Sequence, residues 1–234
     1  VHDVRAMHSD VKFSVEEKID GLSMSLRYEN GDLKLAATRG SGFDGEDVTL
    51  NSFEVKGIKR RIDMPYEYLE VRGEVYMSHK DFEKVNEKLE NLNKKPFANT
   101  RNCAAGTLRQ LNPLITKERG LNLFVFNIQD GPREWVQYHT VGLDKLESKG
   151  IAVVPHKLCT SDDEILFEID SIGESRGNLG YNIDGAVVKI EQSDYREDFP
   201  AGSKNSAGHI AYKYPPEEKE AIIKSIELAV GRTG

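Results

Sequence analysis

The chain has 234 residues, with 32 Lys and Arg against 39 Asp and Glu, a net charge of −7 at pH 7 and two cysteines. The length suffices for one large domain or two lobes sharing a core, and the acidic balance argues against a protein that coats nucleic acid electrostatically, leaving room for a local phosphate-binding patch. Cys103 and Cys159 form no metal or disulfide pattern, no apolar run approaches a membrane span and no leader-like segment is visible, so a monomer in a reducing cytoplasm without membrane contact is expected.

In chain order, Leu22, Met24, Leu26 and Tyr28, then Leu33, Leu35 and Ala37, alternate with polar residues around Asn30-Gly31. This predicts a β-hairpin, because Asn and Gly accept the positive φ values of a type I′ turn. Residues 69–77 and 121–128 are rich in β-branched and aromatic side chains and are expected as strands. Phe82, Val85, Leu89 and Leu92 recur at helical spacing, with Ser78 placed as N-cap. A helix is expected to end at Gly150, and another to begin at Ser161, where Ser-Asp-Asp-Glu makes a capping box ahead of Ile165, Ile169 and Ile172. Strands return over Ile183–Ile190 and Ile210–Tyr214. Without regular βαβ alternation, the expected class is α+β on antiparallel sheet.

Lys18-Ile19-Asp20-Gly21 and Ile183-Asp184-Gly185-Ala186-Val187-Val188-Lys189 each combine a lysine with an Asp-Gly turn, and Tyr212-Lys213-Tyr214-Pro215 adds a third lysine. Lysines grouped in this way suit a phosphate site in which one amine is the nucleophile and the others offset charge developing on phosphorus. A free lysine, with a pKa of about 10.4, is almost wholly protonated at neutral pH, so Lys18 is expected where burial and the cations Lys189 and Lys213 favour the neutral amine. Taken singly, Lys18 reads as an exposed lysine before a turn. Gly40-Ser41-Gly42-Phe43-Asp44-Gly45 fits the GxGxxG fingerprint, but it follows a hairpin and is flanked by Asp44, Glu46 and Asp47, so a turn is the better reading. Over residues 94–119, Lys94, Lys95, Arg101, Arg109, Lys117 and Arg119 stand against Glu118 alone, the one pronounced basic stretch.

Glu16-Glu17-Lys18-Ile19-Asp20-Gly21, Thr38-Arg39-Gly40, Val71-Arg72-Gly73-Glu74-Val75, the Ile183–Lys189 run and Tyr212-Lys213-Tyr214-Pro215 follow in this order. Together they resemble the sequential motifs of the covalent nucleotidyltransferase superfamily. Lys95-Pro96-Phe97-Ala98-Asn99-Thr100-Arg101-Asn102-Cys103-Ala104-Ala105-Gly106-Thr107-Leu108-Arg109-Gln110 resembles a longer and more specific segment of bacterial NAD-dependent DNA ligases, and the resemblance covers residues 13–234. It implies the α+β nucleotidyltransferase fold of DNA ligases and capping enzymes, built on antiparallel sheets with flanking helices. It further implies that Lys18 bonds AMP taken from NAD, that Glu16 lies near the adenine, and that Asp20 and Gly21 form the turn that admits the nucleotide. Arg39 would lie on the sugar and phosphate side, Glu74 would accept from the ribose or hold Mg²⁺, Asp184 would position its strand and a cation, and Lys189 and Lys213 would contact the α-phosphate. Arg101 and Arg109 would grip backbone phosphates of nicked duplex DNA, a contact blind to sequence.

Cys103 and Thr107 depart from the alanine and serine more usual in that family, and His8–Val11 is unlike its usual entry sequence. The family's ligases also carry an N-terminal domain that grips the nicotinamide mononucleotide half of NAD, and an oligonucleotide-binding barrel that would begin about where Val230–Gly234 stands. The chain is therefore expected to be the adenylation domain, residues 1–234, of a larger ligase, binding the adenosine half of NAD but adenylating itself poorly when isolated. Two alternatives share these residues: an ATP-dependent polynucleotide ligase or capping-type nucleotidyltransferase, and a nucleotide- or DNA-binding module without catalysis.

Overall fold

A computed structural model of the protein describes residues 1–38, 45–199 and 208–215. In chain order, helix α1 (His2–Met7) precedes strands β1 (Phe13–Ile19), β2 (Leu22–Glu29) and β3 (Asp32–Thr38), and a short helix α2 (Thr49–Ser52) leads to β4 (Tyr68–Met77). Three helices, α3 (His79–Asn91), α4 (Thr100–Leu108) and α5 (Pro113–Arg119), come before β5 (Leu121–Asp130). Helices α6 (Arg133–Val136) and α7 (His139–Ser148), strand β6 (His156–Cys159), helix α8 (Asp162–Ser175), strand β7 (Ile183–Ile190), helix α9 (Ser193–Arg196) and strand β8 (His209–Lys213) follow.

The strands form two four-stranded sheets, one ordered β6-β1-β7-β8 and the other β3-β2-β4-β5. Every pairing is antiparallel. In the second sheet, Leu26 and Tyr28 stand opposite Val71 and Leu69, and Val75 opposite Leu123. These side chains are fully buried, and α4 and α7 pack on the sheet they line. In the first sheet, Ile165, Ile169 and Ile172 of α8 are buried against β1 and β7.

The expected hairpin is present, and Asn30 at φ 50° and Gly31 at φ 84° supply its two positive values. Ser78 accepts the Asp81 backbone N–H at the start of α3, and Ser161 and Glu164 make the capping box of α8. Strand β1, which the sequence pattern does not mark, carries Lys18 just ahead of the hairpin's first strand, β2. The run Glu16-Glu17-Lys18 breaks the apolar alternation, yet the strand forms because those charges find partners in the neighbouring chain segments. Among the described residues, no helix is long and apolar enough to cross a membrane. Both cysteines are free and buried.

Candidate active site

Strand register places the lysines on one face. Lys18 of β1 stands opposite Gly185 of β7, which stands opposite Lys213 of β8; one row further on, Glu16, Val187 and Ala211 align, and then Ser14, Lys189 and His209. Side chains two residues apart on a strand share a face, so Glu16, Lys18, Lys189 and Lys213 all look the same way. Across from them, the second sheet contributes Glu74 from β4 and Phe126 from β5. Between the sheets lies a cleft of about 190 Å³ lined by Glu16, Glu17, Lys18, Ile19, Glu74, Phe126, Val187, Lys189 and His209. Larger depressions elsewhere, between α3 and α5 and beside Phe13 and Ile210, do not include Lys18.

Two glycines permit the close approaches that shape this cleft. A Cβ on Gly185 would come within 2.0 Å of the Tyr212 carbonyl oxygen, and one on Gly21 within 2.2 Å of the Val75 carbonyl oxygen and 3.1 Å of Glu74 Cγ. Neither approach to a carbonyl oxygen is tolerable, so a side chain at either position would force the backbone segments apart. The turn beyond Lys18 is tied down by Asn182. The Asn182 carbonyl accepts the Asp20 N–H at 2.9 Å, and its side-chain amide donates to Thr100 Oγ1 at 3.0 Å. This brings the start of α4 against the turn, where Arg101 pairs with Asp20 at 3.2 Å.

Lys18 is about one-third exposed, and its Nζ lies 2.8 Å from Asp184 Oδ1. Its ion partner is thus a carboxylate, where the sequence suggested a crowd of ammonium groups; Lys189, on the same face, is instead paired with Glu16. Glu74, half-buried on β4, has its carboxyl pushed up to about 7 by burial, against the opposing charges of Lys18 and Arg101 and with the help of Asp20 and Asp184.

Deeper in the cleft, Lys189 Nζ lies 2.5 Å from Glu16 Oε2 and donates to the Phe126 carbonyl at 2.5 Å. Glu16 Oε1 accepts from Ser14 Oγ at 2.9 Å and lies 2.5 Å from His139 Nε2. Burial alone would raise the Glu16 carboxyl, but Lys189 and His139 hold it well below the usual carboxylate range. Burial lowers the Lys189 ammonium, with Glu16 working the other way. Neither Phe126 nor His139 was a candidate from sequence. His139 is 123 residues from Glu16, and no local pattern marks it.

Arg109, at the end of α4, pairs with Glu46 at 2.5 Å on the surface, and Arg101 is likewise exposed. Lys213 is exposed on β8. Arg39 and most of the Gly40–Gly45 segment lie outside the described residues. Trp135 is buried edge-on against Tyr66.

A model of the NAD-dependent DNA ligase adenylation domain matches residues 1–217. A DNA ligase of Clostridium kluyveri is 47% identical over 224 residues, covering 95% of this chain and 34% of the relative. A DNA ligase of Acetivibrio thermocellus is 46% identical over 230 residues, covering 98% of this chain and 35% of the relative. The chain thus spans about a third of the length of the curated relatives it matches. Among solved structures, the ligase domain of M. tuberculosis LigD superposes with a TM-score of 0.50 at 14% identity, over 86% of this chain and 55% of that one, a likeness of fold alone. The matching model over most of its length, and relatives of this similarity, show that the chain belongs to the family of NAD-dependent DNA ligase adenylation domains.

Proposed function

We propose that the chain is the adenylation unit of a cytoplasmic, monomeric ligase that seals nicks in duplex DNA, with Lys18 taking AMP from NAD. The observation that carries this reading is Lys18 lining a cleft between two sheets, beside Asp184 and facing Glu74, in a chain of this family. Lys18 Nζ attacks the α-phosphorus; a P–N bond forms, the P–O bond to nicotinamide mononucleotide breaks, and that group leaves with the electron pair. Asp184, 2.8 Å from Nζ, is the group positioned to accept the amine proton. AMP then passes to the 5′-phosphate of a nick, and the 3′-hydroxyl displaces it.

In this reading Glu16 meets the adenine, and Lys189, expected from the sequence at the α-phosphate, is reassigned to the same edge of the base because its Nζ is held 2.5 Å from Glu16. Lys213, on the same face of the sheet, is left to offset charge on the α-phosphate. Arg39 is assigned to the sugar and phosphate side by family resemblance alone. Mg²⁺ keeps several waters and takes one or two carboxylates together with phosphate oxygens. Glu74 suits that limited role, and among the described residues no ready-made cluster of three His, Cys, Asp or Glu side chains competes with it. Bound there, the ion would neutralise phosphate charge. Arg101 and Arg109 are assigned to the DNA backbone.

Intact mass spectrometry after incubation with NAD, ATP or GTP tests the reading. The chain should gain one adenylyl group from NAD, slowly without an upstream domain to hold the leaving group, and the Lys18→Ala variant should gain none. Labelling of that variant would exclude Lys18, and preferential labelling by ATP or GTP would favour an ATP-dependent or capping-type enzyme.

A further inference from the structure

His139, the first residue of α7, is 5% exposed and does not line the cleft, yet it touches both charged groups at the cleft's deep end. Its Nε2 lies 2.5 Å from Glu16 Oε1 and 3.3 Å from Lys189 Nζ. A carboxylate only accepts and an ammonium only donates. Nε2 can serve only one of them; at 2.5 Å a bare nitrogen lone pair would repel the carboxylate, so the hydrogen on Nε2 points to Glu16, and the 3.3 Å approach to Lys189 is then not a hydrogen bond. Burial first, and then the Lys189 charge, lower the imidazole from the usual 6.5 to about 4, which leaves a neutral ring with one defined tautomer near neutral pH.

The ring is itself fixed from behind. The His139 backbone N–H donates to the Glu191 carbonyl at 3.0 Å. The Thr140 hydroxyl donates to the buried Glu191 carboxylate at 2.8 Å, joined by the Thr140 backbone N–H at 3.1 Å, a carboxylate seated at a helix N-terminus. Glu191 directly follows β7, the strand that carries Lys189. These contacts, with the two-residue step along the chain from Lys189 to Glu191, link Lys189, Glu191, Thr140, His139 and Glu16 into one cluster. Without the imidazole donor, Glu16 Oε1 would keep Ser14 alone, and the carboxylate would be free to turn both oxygens onto Lys189.

We propose that His139 is a positioning residue for base selection: its Nε2–H pins Glu16 so that Glu16 and Lys189 present an acceptor and a donor side by side to a purine. This rests on the AMP-binding reading of the cleft and adds to it a side chain from outside the cleft lining. Adenine offers the complementary edge, an exocyclic amine donor beside a ring-nitrogen acceptor. Hypoxanthine, with a carbonyl and a ring N–H at those places, reverses both.

Isothermal titration of the chain and of His139→Phe and His139→Gln with AMP and with IMP, alongside thermal unfolding, decides the matter. The unsubstituted chain should bind AMP in preference to IMP. His139→Phe keeps a ring but loses the donor, and should lose about 10-fold in AMP affinity together with most of the preference. His139→Gln, whose amide can donate to Glu16, should restore the preference. A folded His139→Phe variant with an unchanged AMP-to-IMP ratio overturns the proposal, because a merely structural role would weaken both nucleotides alike. If His139→Phe does not fold, the glutamine variant decides: a retained ratio supports the proposal and a collapsed one overturns it. Failure of the unsubstituted chain to bind AMP would overturn the reading beneath it, a distinct result from failure of the variants alone.

Discussion

Lys189 Nζ and Glu16 Oε2 lie 2.5 Å apart with side chains 3% and 1% exposed, so neither charge has water to fall back on. Breaking such a pair from one side costs about 3–5 kcal/mol, because the remaining charge stays buried without its counter-ion, whereas replacing both partners with groups of similar shape can be nearly neutral. Lys189→Met should therefore destabilise strongly and the Glu16→Gln, Lys189→Met double variant much less, measured by denaturant unfolding. The acid side follows from linkage. Glu16 is depressed from 4.5, and His139 from 6.5 to about 4. Both contributions are full above those usual values and are lost as pH falls, His139 from 6.5 downward and Glu16 below 4.5. The double variant should show a shallower acid loss.

Glu74 has the opposite sign. Its carboxyl is raised from 4.5 to about 7, so its contribution to stability is full below 4.5 and is lost as pH rises through about 7. If the ionised form is needed at the nucleotide, adenylation of Lys18 should rise with pH through the same region. Glu74→Gln should lack that limb, label about 10-fold more slowly at the plateau, and gain stability relative to the parent above neutrality. Labelling rates and unfolding midpoints taken across the range check both halves; a glutamine variant that retains the rising limb would assign it to another group.

Gly185 separates Lys18 from Lys213 in the cross-strand row. Because an added Cβ would sit 2.0 Å from the Tyr212 carbonyl oxygen, Gly185→Ala must push β8 away from β7, at a cost of about 1–3 kcal/mol by analogy with overpacked cores. The same shift carries Lys213 off its place. AMP affinity should therefore fall with stability, as urea unfolding and calorimetric titration would reveal. An alanine variant that melts and binds like the parent would contradict the packing.

Arg101 and Arg109 sit in exposed ion pairs with Asp20 and Glu46, and exposed pairs contribute at most about 1 kcal/mol to folding. Replacing either with alanine should barely alter stability. If each holds a DNA phosphate, each loss should reduce the salt slope of nicked-duplex binding by about 1, with AMP binding unchanged. Fluorescence anisotropy at several salt concentrations measures the slope.

Periodicity and caps made the hairpin, α3, α8 and strands β4, β5, β7 and β8 legible, because those signals are local: alternation, a Ser N-cap, an Asn-Gly turn. Strand β1 was hidden since its charges are admitted only by distant partners, and β6 is too short to show a period. Chain order and residue type determined the motifs, the lysines and the family resemblance. Tertiary structure alone decided that Lys18 faces Asp184, that Lys189 is locked to Glu16, and that His139 completes the cluster. Those choices turn on burial and on contacts between residues more than a hundred positions apart, where the removal of water makes charge pairing obligatory and sequence spacing carries no trace of it.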